Sequence, residues 1–401
     1  MPGRLVTLVL CSREGTVLGA LPPYEVAVRW WPEARPVAEG ARALYGLDVT
    51  VLRLLGGKPD GPGPSGGPVT YLAEVDGEPE GLSSWPGDPT AEEPLRLPWA
   101  RPGWPAADVA WADAVLAERG TPRTGPAEQV RTWNLSSLWR LPLGEDGAWL
   151  KVVPPFFAHE GLMLERLDPA LVPPLIAAAG PRVLLAEIPG EDQYDTTGTP
   201  LLQMVGMLVA LQAQWSERVD ELLGLGLPDW RPHALAPAAA VVVARTAGEV
   251  EPGIVSACER LIAALPARFD EIADCGLPDT LVHGDFHRGN VRGAEGRLVL
   301  LDWGDCGVGH PLLDQTAFLE YLPAEDRAPV RAEWARLWRD VRPACDPERA
   351  AALLGPVGAL RQAVIYRSFL DQIEPDERVY HATDPAEWLE RAAQLSAAAT
   401  S

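Results

Sequence analysis

Residues 283–290 read His-Gly-Asp-Phe-His-Arg-Gly-Asn, and the stretch Leu300-Leu301-Asp302-Trp303-Gly304-Asp305 begins ten residues after Asn290. Between the two motifs, the residues Gly293-Ala294-Glu295-Gly296 are typical of a tight turn. The apolar residues on either side of this turn predict a β-hairpin. Such a hairpin would bring Asn290 and Asp302 close together.

A carboxylate, an amide and a second carboxylate in this order suit phosphoryl transfer from ATP. One carboxylate accepts or orients the proton of the acceptor hydroxyl, while the amide and the other carboxylate hold Mg²⁺ on the phosphates. Magnesium prefers such hard oxygen ligands and needs only a couple of them from the protein. A lone His-Gly-Asp indicates little, but the combination of all three positions is a specific motif.

The stretch 283–290 resembles the catalytic loop of the aminoglycoside phosphotransferase and choline kinase superfamily, the small-molecule relatives of protein kinases. That superfamily has His-Gly-Asp, four residues and then Asn, as this sequence does. The resemblance implies Asp285 as catalytic base, Asn290 and Asp302 as Mg²⁺ ligands, and ATP as phosphoryl donor. Asp314, in the continuation of the motif, is expected to brace the loop and cap a helix.

The resemblance also implies an α+β, bilobal protein-kinase-like fold, with a β-rich N-lobe and an α-helical C-lobe. In that fold Lys151, on a predicted strand, occupies the position of the phosphate-binding lysine. Glu160, nine residues later at the start of a predicted helix, is the expected partner of Lys151, and Glu165 is the competing one.

The loop expected over the phosphates, residues 133–138, contains no glycine. Backbone N–H groups and the hydroxyls of Ser136 and Ser137 are therefore expected to contact the nucleotide instead. The two histidines of the main motif, His283 and His287, are interpreted as structural supports of the loop.

Three regions are predicted: an N-terminal extension (1–95), the nucleotide-binding N-lobe (96–190) and the helical C-lobe with the catalytic loop (191–401). The first region has the order β-β-α-β-β and faintly resembles a Nudix domain. Ala43 and Leu44 stand where that family has paired glutamates. The sequence therefore predicts a non-catalytic α/β extension rather than a Nudix-type hydrolase.

The composition limits the partners. A formal charge of −22 argues against nucleic acid, because such binding requires clustered Lys and Arg. Acidity suits a cationic ligand, although it often serves solubility alone. Five widely spaced cysteines predict neither a disulfide framework nor a zinc site, which fits the cytoplasm. No apolar run approaches the ~18–20 residues of a membrane span. A monomer or homodimer is expected.

The favoured function is phosphorylation of a hydroxyl on an aminoglycoside-like or amino-sugar acceptor. Carboxylates of the C-terminal helices could neutralise the amino groups of such an acceptor: Glu320, Asp371, Glu374 and Asp376. Kinases of choline, homoserine, sugar or macrolide type remain alternatives, because fold alone does not choose a substrate. A nucleotide-binding pseudokinase or scaffold is disfavoured because the lysine, the candidate base and both candidate metal ligands are present.

Overall fold

The computed structural model describes residues 3–61, 63–294 and 296–398. The fold is a mixed α+β architecture, as predicted. Contacts between Cα atoms divide the chain into two compact units. The first comprises the chain up to Gly161 together with Leu175–Glu187 and Leu370–Ala382, and the second comprises Leu162–Pro174, Ile188–Phe369 and the chain from Thr383.

The first unit begins with a five-stranded sheet in which β1 pairs with β2, β3 and β5, and β5 pairs with β4. The β1–β5 pairing is parallel and the others are antiparallel. The helix α1 (Arg35–Tyr45) buries Val37 and Ala41 in the same apolar core as this sheet. The strands are β1 (Arg4–Cys11), β2 (Val17–Ala20), β3 (Tyr24–Val26), β4 (Val49–Gly57) and β5 (Gly67–Val75).

A second, fully antiparallel sheet of the first unit has the order β6-β7-β8-β10-β9. Its apolar side shares a core with the helix α2 (Trp104–Glu118). The short helix α3 (His159–Leu164) begins in this unit. The strands are β6 (Glu128–Trp133), β7 (Ser136–Leu143), β8 (Asp146–Val152), β9 (Leu175–Ala179) and β10 (Arg182–Ala186).

The two sheets of the first unit are joined by buried hydrogen bonds. The Gln129 side chain accepts from the Val51 backbone N–H at 2.9 Å and donates to the Val51 carbonyl at 2.7 Å, as a neighbouring strand would. The segment Leu370–Ala382 contributes to the same core through Tyr380, whose ring lies 5.8 Å from that of Trp133. Residues from three separate parts of the chain therefore share one interior.

The second unit is mostly helical, with two small antiparallel sheets. Its helices are α4 (Thr199–Trp215), α5 (Val219–Gly224), α6 (Pro232–Thr246), α7 (Pro252–Ala273), α8 (Leu313–Glu320), α9 (Ala324–Val341), α10 (Pro347–Gln372, which ends in the first unit) and α11 (Asp384–Ala398). Its strands are β11 (Glu191–Asp192), β12 (Thr280–Val282), β13 (Val291–Ala294), β14 (Arg297–Leu300) and β15 (Gly307–Gly309). Among the residues that the structure describes, no helix is long and apolar enough to cross a bilayer.

Most predicted elements are confirmed, and the differences have physical causes. The sequence predicts a helix over residues 329–341. The structure starts α9 at Ala324, with Glu325 and Asp326 in its first turn and Pro329 inside it. The acidic residues complement the positive end of the helix dipole, which explains the earlier start. The sequence did not predict the strands β3, β9, β11 and β15 or the helices α5 and α6.

Candidate active site

The hairpin β13–β14 brings Asn290 and Asp302 to the same end of one ladder, as predicted. Val291 pairs with Leu300, and the Leu301 N–H donates to the Asn290 carbonyl at 2.7 Å. Of the predicted turn, Glu295 lies outside the described residues. The pairing holds the two candidate metal ligands near each other. Asn290 directly precedes the paired residue Val291, and Asp302 follows the paired residue Leu300 by two positions.

The Asp285 carboxylate is oriented through one of its oxygens. Asn290 Nδ2 donates to Asp285 Oδ2 at 3.0 Å and to the Asp285 backbone carbonyl at 2.9 Å. His287 Nε2 lies 3.4 Å from the same Oδ2. Because His287 Nδ1 accepts from the Gly289 N–H, Nε2 carries the proton and faces the carboxylate. Among the described residues, Asp285 Oδ1 has no hydrogen-bond partner, and the side chain is 42% exposed.

Asp285 and His287 each shift the pKa of the other. Burial raises the pKa of Asp285, but the hydrogen bond and the charge of His287 outweigh burial, so that the pKa lies below its ordinary value. Burial lowers the pKa of His287, and the hydrogen bond and charge of Asp285 reverse this and raise it above its ordinary value. The pair therefore favours an ionised Asp285.

Asp314 holds the backbone of the catalytic loop, as predicted. Its Oδ2 accepts from the His283 N–H at 2.9 Å, and its Oδ1 accepts from the Gly284 N–H at 2.8 Å. Gln212 Nε2 donates to Oδ2 at 3.0 Å. The prediction that Asp314 also caps a helix is wrong, because Asp314 is the second residue of α8 and the structure records no side-chain cap there. The carboxylate is engaged by the loop instead.

Two backbone conformations shape the site. Gly284 has φ = 92°, and a Cβ at this position would lie 2.1 Å from the Asp305 carbonyl oxygen, so only glycine fits. Asp302 has φ = 61° and is the only described residue other than glycine with a positive φ. A non-glycine residue held in this region stores strain, which is common at functional sites.

His283 is a structural strut, as predicted. The ring is fully buried, and its Nε2 lies 2.9 Å from the Leu301 carbonyl oxygen. Its centroid is 4.7 Å from that of Trp303. His283 thus connects the loop that carries Asp285 to the strand end that carries Asp302.

Lys151 pairs with Glu160 in the first unit, as predicted. The strand β8 carries Lys151 and the helix α3 carries Glu160, and Nζ lies 2.7 Å from Oε1. Both side chains are largely buried, at 13% and 2% exposure. The competing candidate, Glu165, lies 3.6 Å from Arg166 and is half exposed.

The hydroxyls of Ser136 and Ser137 accept hydrogen bonds from tryptophan indoles. Trp133 Nε1 donates to Ser136 Oγ at 3.1 Å, and Trp139 Nε1 donates to Ser137 Oγ at 3.0 Å. Ser137 is 1% exposed. These bonds fix the start of β7, and a contact of the two serines with phosphate stays a prediction.

Sequence reasoning missed three residues near the catalytic loop. Tyr194 lies against Gly289, where a Cβ would come within 2.7 Å of the ring. The ring centroid of Tyr321 lies 5.7 Å from that of His287. Arg361, 1% exposed, directs NH1 at the Gly284 carbonyl over 3.4 Å. Arg361 could have been singled out because it is a lone arginine in an apolar part of α10. No sequence pattern marks Tyr194 or Tyr321.

Two of the expected acceptor contacts, Glu374 and Asp376, are corrected. Glu374, proposed to face amino groups of an acceptor, belongs to the first unit and is 5% exposed. It lies 3.3 Å from Arg53 NH1 and 3.2 Å from Arg96 Nε. Asp376 also pairs with Arg53, at 3.2 Å. Both carboxylates belong to an ion-pair cluster of the first unit. The prediction missed it because no pattern in the sequence indicates that Leu370–Ala382 packs with that unit.

Comparison with solved structures supports the kinase-like fold. The complex of aminoglycoside 2'-phosphotransferase-IIIa with GDP is 13% identical and covers 73% of this chain and 99% of its own, with a TM-score of 0.51. The macrolide 2'-phosphotransferase MphH from Brachybacterium faecium is 17% identical and covers 69% of this chain and 97% of its own, with a TM-score of 0.47. No curated protein sequence matches the chain.

Fold and catalytic loop define a phosphotransferase that acts on hydroxyl groups. The model of the phosphotransferase enzyme family matches residues 146–353, more than half of the 401 residues. The chain belongs to this family.

Proposed function

We propose that the protein transfers the γ-phosphoryl group of ATP to a hydroxyl of an amine-bearing small molecule, of amino-sugar or aminoglycoside type. The observation that carries this proposal is the Asp285 carboxylate. One of its oxygens is held by Asn290 and His287, and the other has no partner among the described residues. A carboxylate held in this way presents its other oxygen as a proton acceptor to a bound hydroxyl group.

In the proposed reaction, Asp285 Oδ1 accepts the proton of the acceptor hydroxyl while the hydroxyl oxygen forms a bond to the γ-phosphorus of ATP. The bond between that phosphorus and the bridging oxygen of the β-phosphate breaks, and ADP leaves. The lowered pKa of Asp285 keeps the carboxylate ionised at neutral pH. His287 is a positioning residue that donates to Oδ2 and keeps the carboxylate plane fixed. The loop brace from Asp314 holds the backbone of Gly284 next to the base.

The residues present fit a magnesium ion. Because Asn290 Nδ2 is committed to Asp285, the amide oxygen Oδ1 is directed elsewhere and is available to a cation. Asp302, fixed by the hairpin and by its strained backbone, supplies a carboxylate of the same ligand type. A magnesium ion on these groups would neutralise charge on the phosphates.

The nucleotide contact of the first unit is assigned to Lys151. Glu160 orients the ammonium group, which would bind a phosphate oxygen of ATP. Ser136 and Ser137 are proposed as further contacts through the β6–β7 turn. Residues 1–95 are proposed as a non-catalytic extension of the nucleotide-binding region 96–190, and residues 191–401 as the acceptor-binding lobe.

The surroundings of the base favour a cationic ring as acceptor. Tyr194 is 64% exposed and Tyr321 is 54% exposed, so both rings are open to a ligand near Asp285. Burial raises the pKa of Tyr321, and negative charges, first of all Asp285 and Asp384, raise it further. A negative field next to aromatic rings attracts ammonium groups. Glu320 contributes less, because it pairs with Arg391 at 2.9 Å.

An acceptor panel tests the function. ADP formation would be measured with ATP, Mg²⁺ and glucosamine, kanamycin, choline or glucose in turn, and again after replacing Tyr321 by Ala and by Phe. We expect turnover with an amine-bearing sugar. We also expect a raised KM for Tyr321→Ala with kcat nearly unchanged, and a smaller effect for Tyr321→Phe. Faster turnover of glucose than of glucosamine and kanamycin would contradict the cationic acceptor but leave the phosphotransferase assignment intact.

A further inference from the structure

The second unit contains a cavity of about 350 Å³ on a different face of α8 from the catalytic loop. Asp314 and Phe318 form the loop face of this helix, since Asp314 holds the loop backbone and the Phe318 ring lies 4.6 Å from that of Phe286. Gln315 and Leu319, each one residue further and therefore about 100° round the helix, line the cavity instead. Small-molecule sites begin at about 300 Å³, so the volume suits a ligand.

The side-chain amide of Gln315 is an unpartnered polar group in this cavity. The residue is 7% exposed and lines the cavity. Its side chain forms no hydrogen bond with any described residue, and neither the oxygen nor the nitrogen of the amide is closed off by protein. The cavity is therefore the space onto which the amide opens. A buried amide without a partner costs free energy, so Gln315 favours a ligand that can form a hydrogen bond with it.

Two arginines of α9 bring uncompensated positive charge to the same cavity. Arg327 and Arg331 both line it and lie four residues apart, on one face of the helix. Arg331 has no ion pair or hydrogen bond with any described residue. Arg327 donates only to backbone carbonyls, with Nε 3.0 Å from the Leu322 oxygen and NH2 3.3 Å from the Glu320 oxygen. Like charges at this spacing repel each other, so a bound anion would stabilise this face of α9.

The carboxylates that line the cavity do not neutralise these two arginines. Glu320 pairs with Arg391 at 2.9 Å, and Glu348 pairs with Arg339. The cavity therefore keeps two uncompensated positive charges in a chain whose formal charge is −22. Its remaining wall is apolar and includes three residues that are at most 8% exposed: Leu312, Leu319 and Ala335.

We propose that this cavity binds a small phosphomonoester with an apolar ring, of aryl phosphate type. A phosphomonoester carries about two negative charges at pH 7, which match the guanidinium groups of Arg327 and Arg331. Guanidinium groups also offer phosphate oxygens hydrogen bonds in a fixed geometry. The Gln315 amide donates to a further oxygen, and the apolar wall packs against the ring.

Isothermal titration calorimetry of the full chain with four probes tests the proposal. Phenyl phosphate has both parts of the ligand, inorganic phosphate has only the anion, benzyl alcohol has only the ring, and benzoate has the ring with a single charge. We expect phenyl phosphate to bind about tenfold or more tightly than inorganic phosphate and benzyl alcohol, because each part contributes to the affinity, and benzoate to lie between. Saturation with ADP and Mg²⁺, which occupy the proposed catalytic site, should leave the Kd of phenyl phosphate within about twofold.

Matched variants locate the site. Arg331→Gln removes an exposed charge at the cavity and should weaken phenyl phosphate about tenfold, because a charge-assisted hydrogen bond is lost. Arg336→Gln removes the same charge from an exposed position of α9 that does not line the cavity, and should leave the Kd within about twofold because solvent and salt screen it. Gln315→Leu should have a smaller effect than Arg331→Gln, since a neutral hydrogen bond contributes less. Ala352→Trp, at the exposed rim, should fill the cavity and abolish binding.

Three results would overturn the proposal. The first is no binding of phenyl phosphate at millimolar concentration, by calorimetry or by ³¹P NMR. The second is an affinity for inorganic phosphate or benzoate that equals or exceeds the affinity for phenyl phosphate. The third is equal weakening by Arg331→Gln and Arg336→Gln, or displacement of phenyl phosphate by ADP and Mg²⁺, either of which would mean that the phosphate binds elsewhere.

Discussion

Asn290 donates its side-chain amide to the Asp285 carboxylate, with Nδ2 3.0 Å from Oδ2. One residue of the motif therefore has two proposed tasks: its nitrogen orients the candidate base, and its oxygen is the proposed ligand of the cation. The separation of five residues between them is therefore a geometric requirement. Substitution at either position should affect the other.

The first prediction concerns the base. Asp285→Asn should lower kcat by ~10²–10⁴-fold, because a positioned base is lost, while the Kd for ATP stays within a few-fold of the unmodified protein. Initial rates and nucleotide titrations check both values. Asp274→Asn, at an exposed position just after α7, is the matched control. A rate for Asp285→Asn close to that of the control would exclude Asp285 as base.

The second prediction separates metal binding from backbone strain at Asp302. Asn tolerates the left-handed conformation better than Ala, for which it costs roughly 1–2 kcal/mol. Asp302→Asn and Asp302→Ala should both raise the Mg²⁺ concentration needed for half-maximal rate, and only the alanine variant should also lose stability. Asn290→Ala should be rescued by excess Mg²⁺ more fully than either. An unchanged Mg²⁺ midpoint in all three variants would contradict the ligand assignment.

The third prediction concerns stability against pH. Burial raises the pKa of Glu377 to about 8 from its ordinary 4.5, and its Oε1 accepts from the Leu54 N–H at 2.6 Å. The folded state holds the proton of the Glu377 carboxyl more tightly than the unfolded state does. The stability that this protonation contributes to the folded state is therefore fully present below pH 4.5 and is lost as pH rises through about 8.

Thermal unfolding between pH 5 and pH 9 checks this expectation. The free energy of unfolding should fall across that range by a few kcal/mol more in the unmodified protein than in Glu377→Gln, which carries no titrating group. Glu92→Gln, at an exposed position of the same unit, is the control and should keep the unmodified slope. Parallel curves for the unmodified protein and Glu377→Gln would disprove the raised pKa.

The fourth prediction concerns the ion-pair cluster of the first unit. Arg53→Met leaves the buried Glu374 with only Arg96, and breaking a buried pair costs up to about 3–5 kcal/mol. The double variant Arg53→Met/Glu374→Met should lose less than the sum of the two single variants, although it leaves Arg96 without Glu374. Denaturant titrations of both single variants and the double variant measure the coupling. Additive losses in the double variant would show that the two side chains act independently.

The catalytic loop could be predicted from the sequence because its residues are close together in the chain. Asp285, Asn290 and Asp302 lie within one loop and one hairpin. The turn signal predicted that Asn290 and Asp302 lie close together, and the resemblance to the phosphotransferase superfamily implied the role of each residue. The pairing of Lys151 with Glu160 was implied by the same resemblance, with Glu165 as the competing partner, and the structure contains it. These contacts depend on local spacing, which a sequence shows directly.

Long-range contacts were not predictable in the same way. Glu374 and Glu377 have the charge expected of an exposed acceptor surface, yet both are buried in the first unit, more than 200 residues after the strands they contact. Tyr194 and Tyr321 reach the catalytic loop from separate elements. Periodicity and motif spacing contain no information on such long-range contacts, because they depend on tertiary packing.

The most direct test of the central claim is the fate of the γ-phosphate, followed by ³¹P NMR with ATP, Mg²⁺ and an amine-bearing sugar. The account predicts a phosphomonoester signal on the sugar that grows in step with ADP and is lost in Asp285→Asn. ATP converted only to ADP and inorganic phosphate across the whole acceptor panel, or a phosphomonoester formed equally fast by Asp285→Asn, would contradict it.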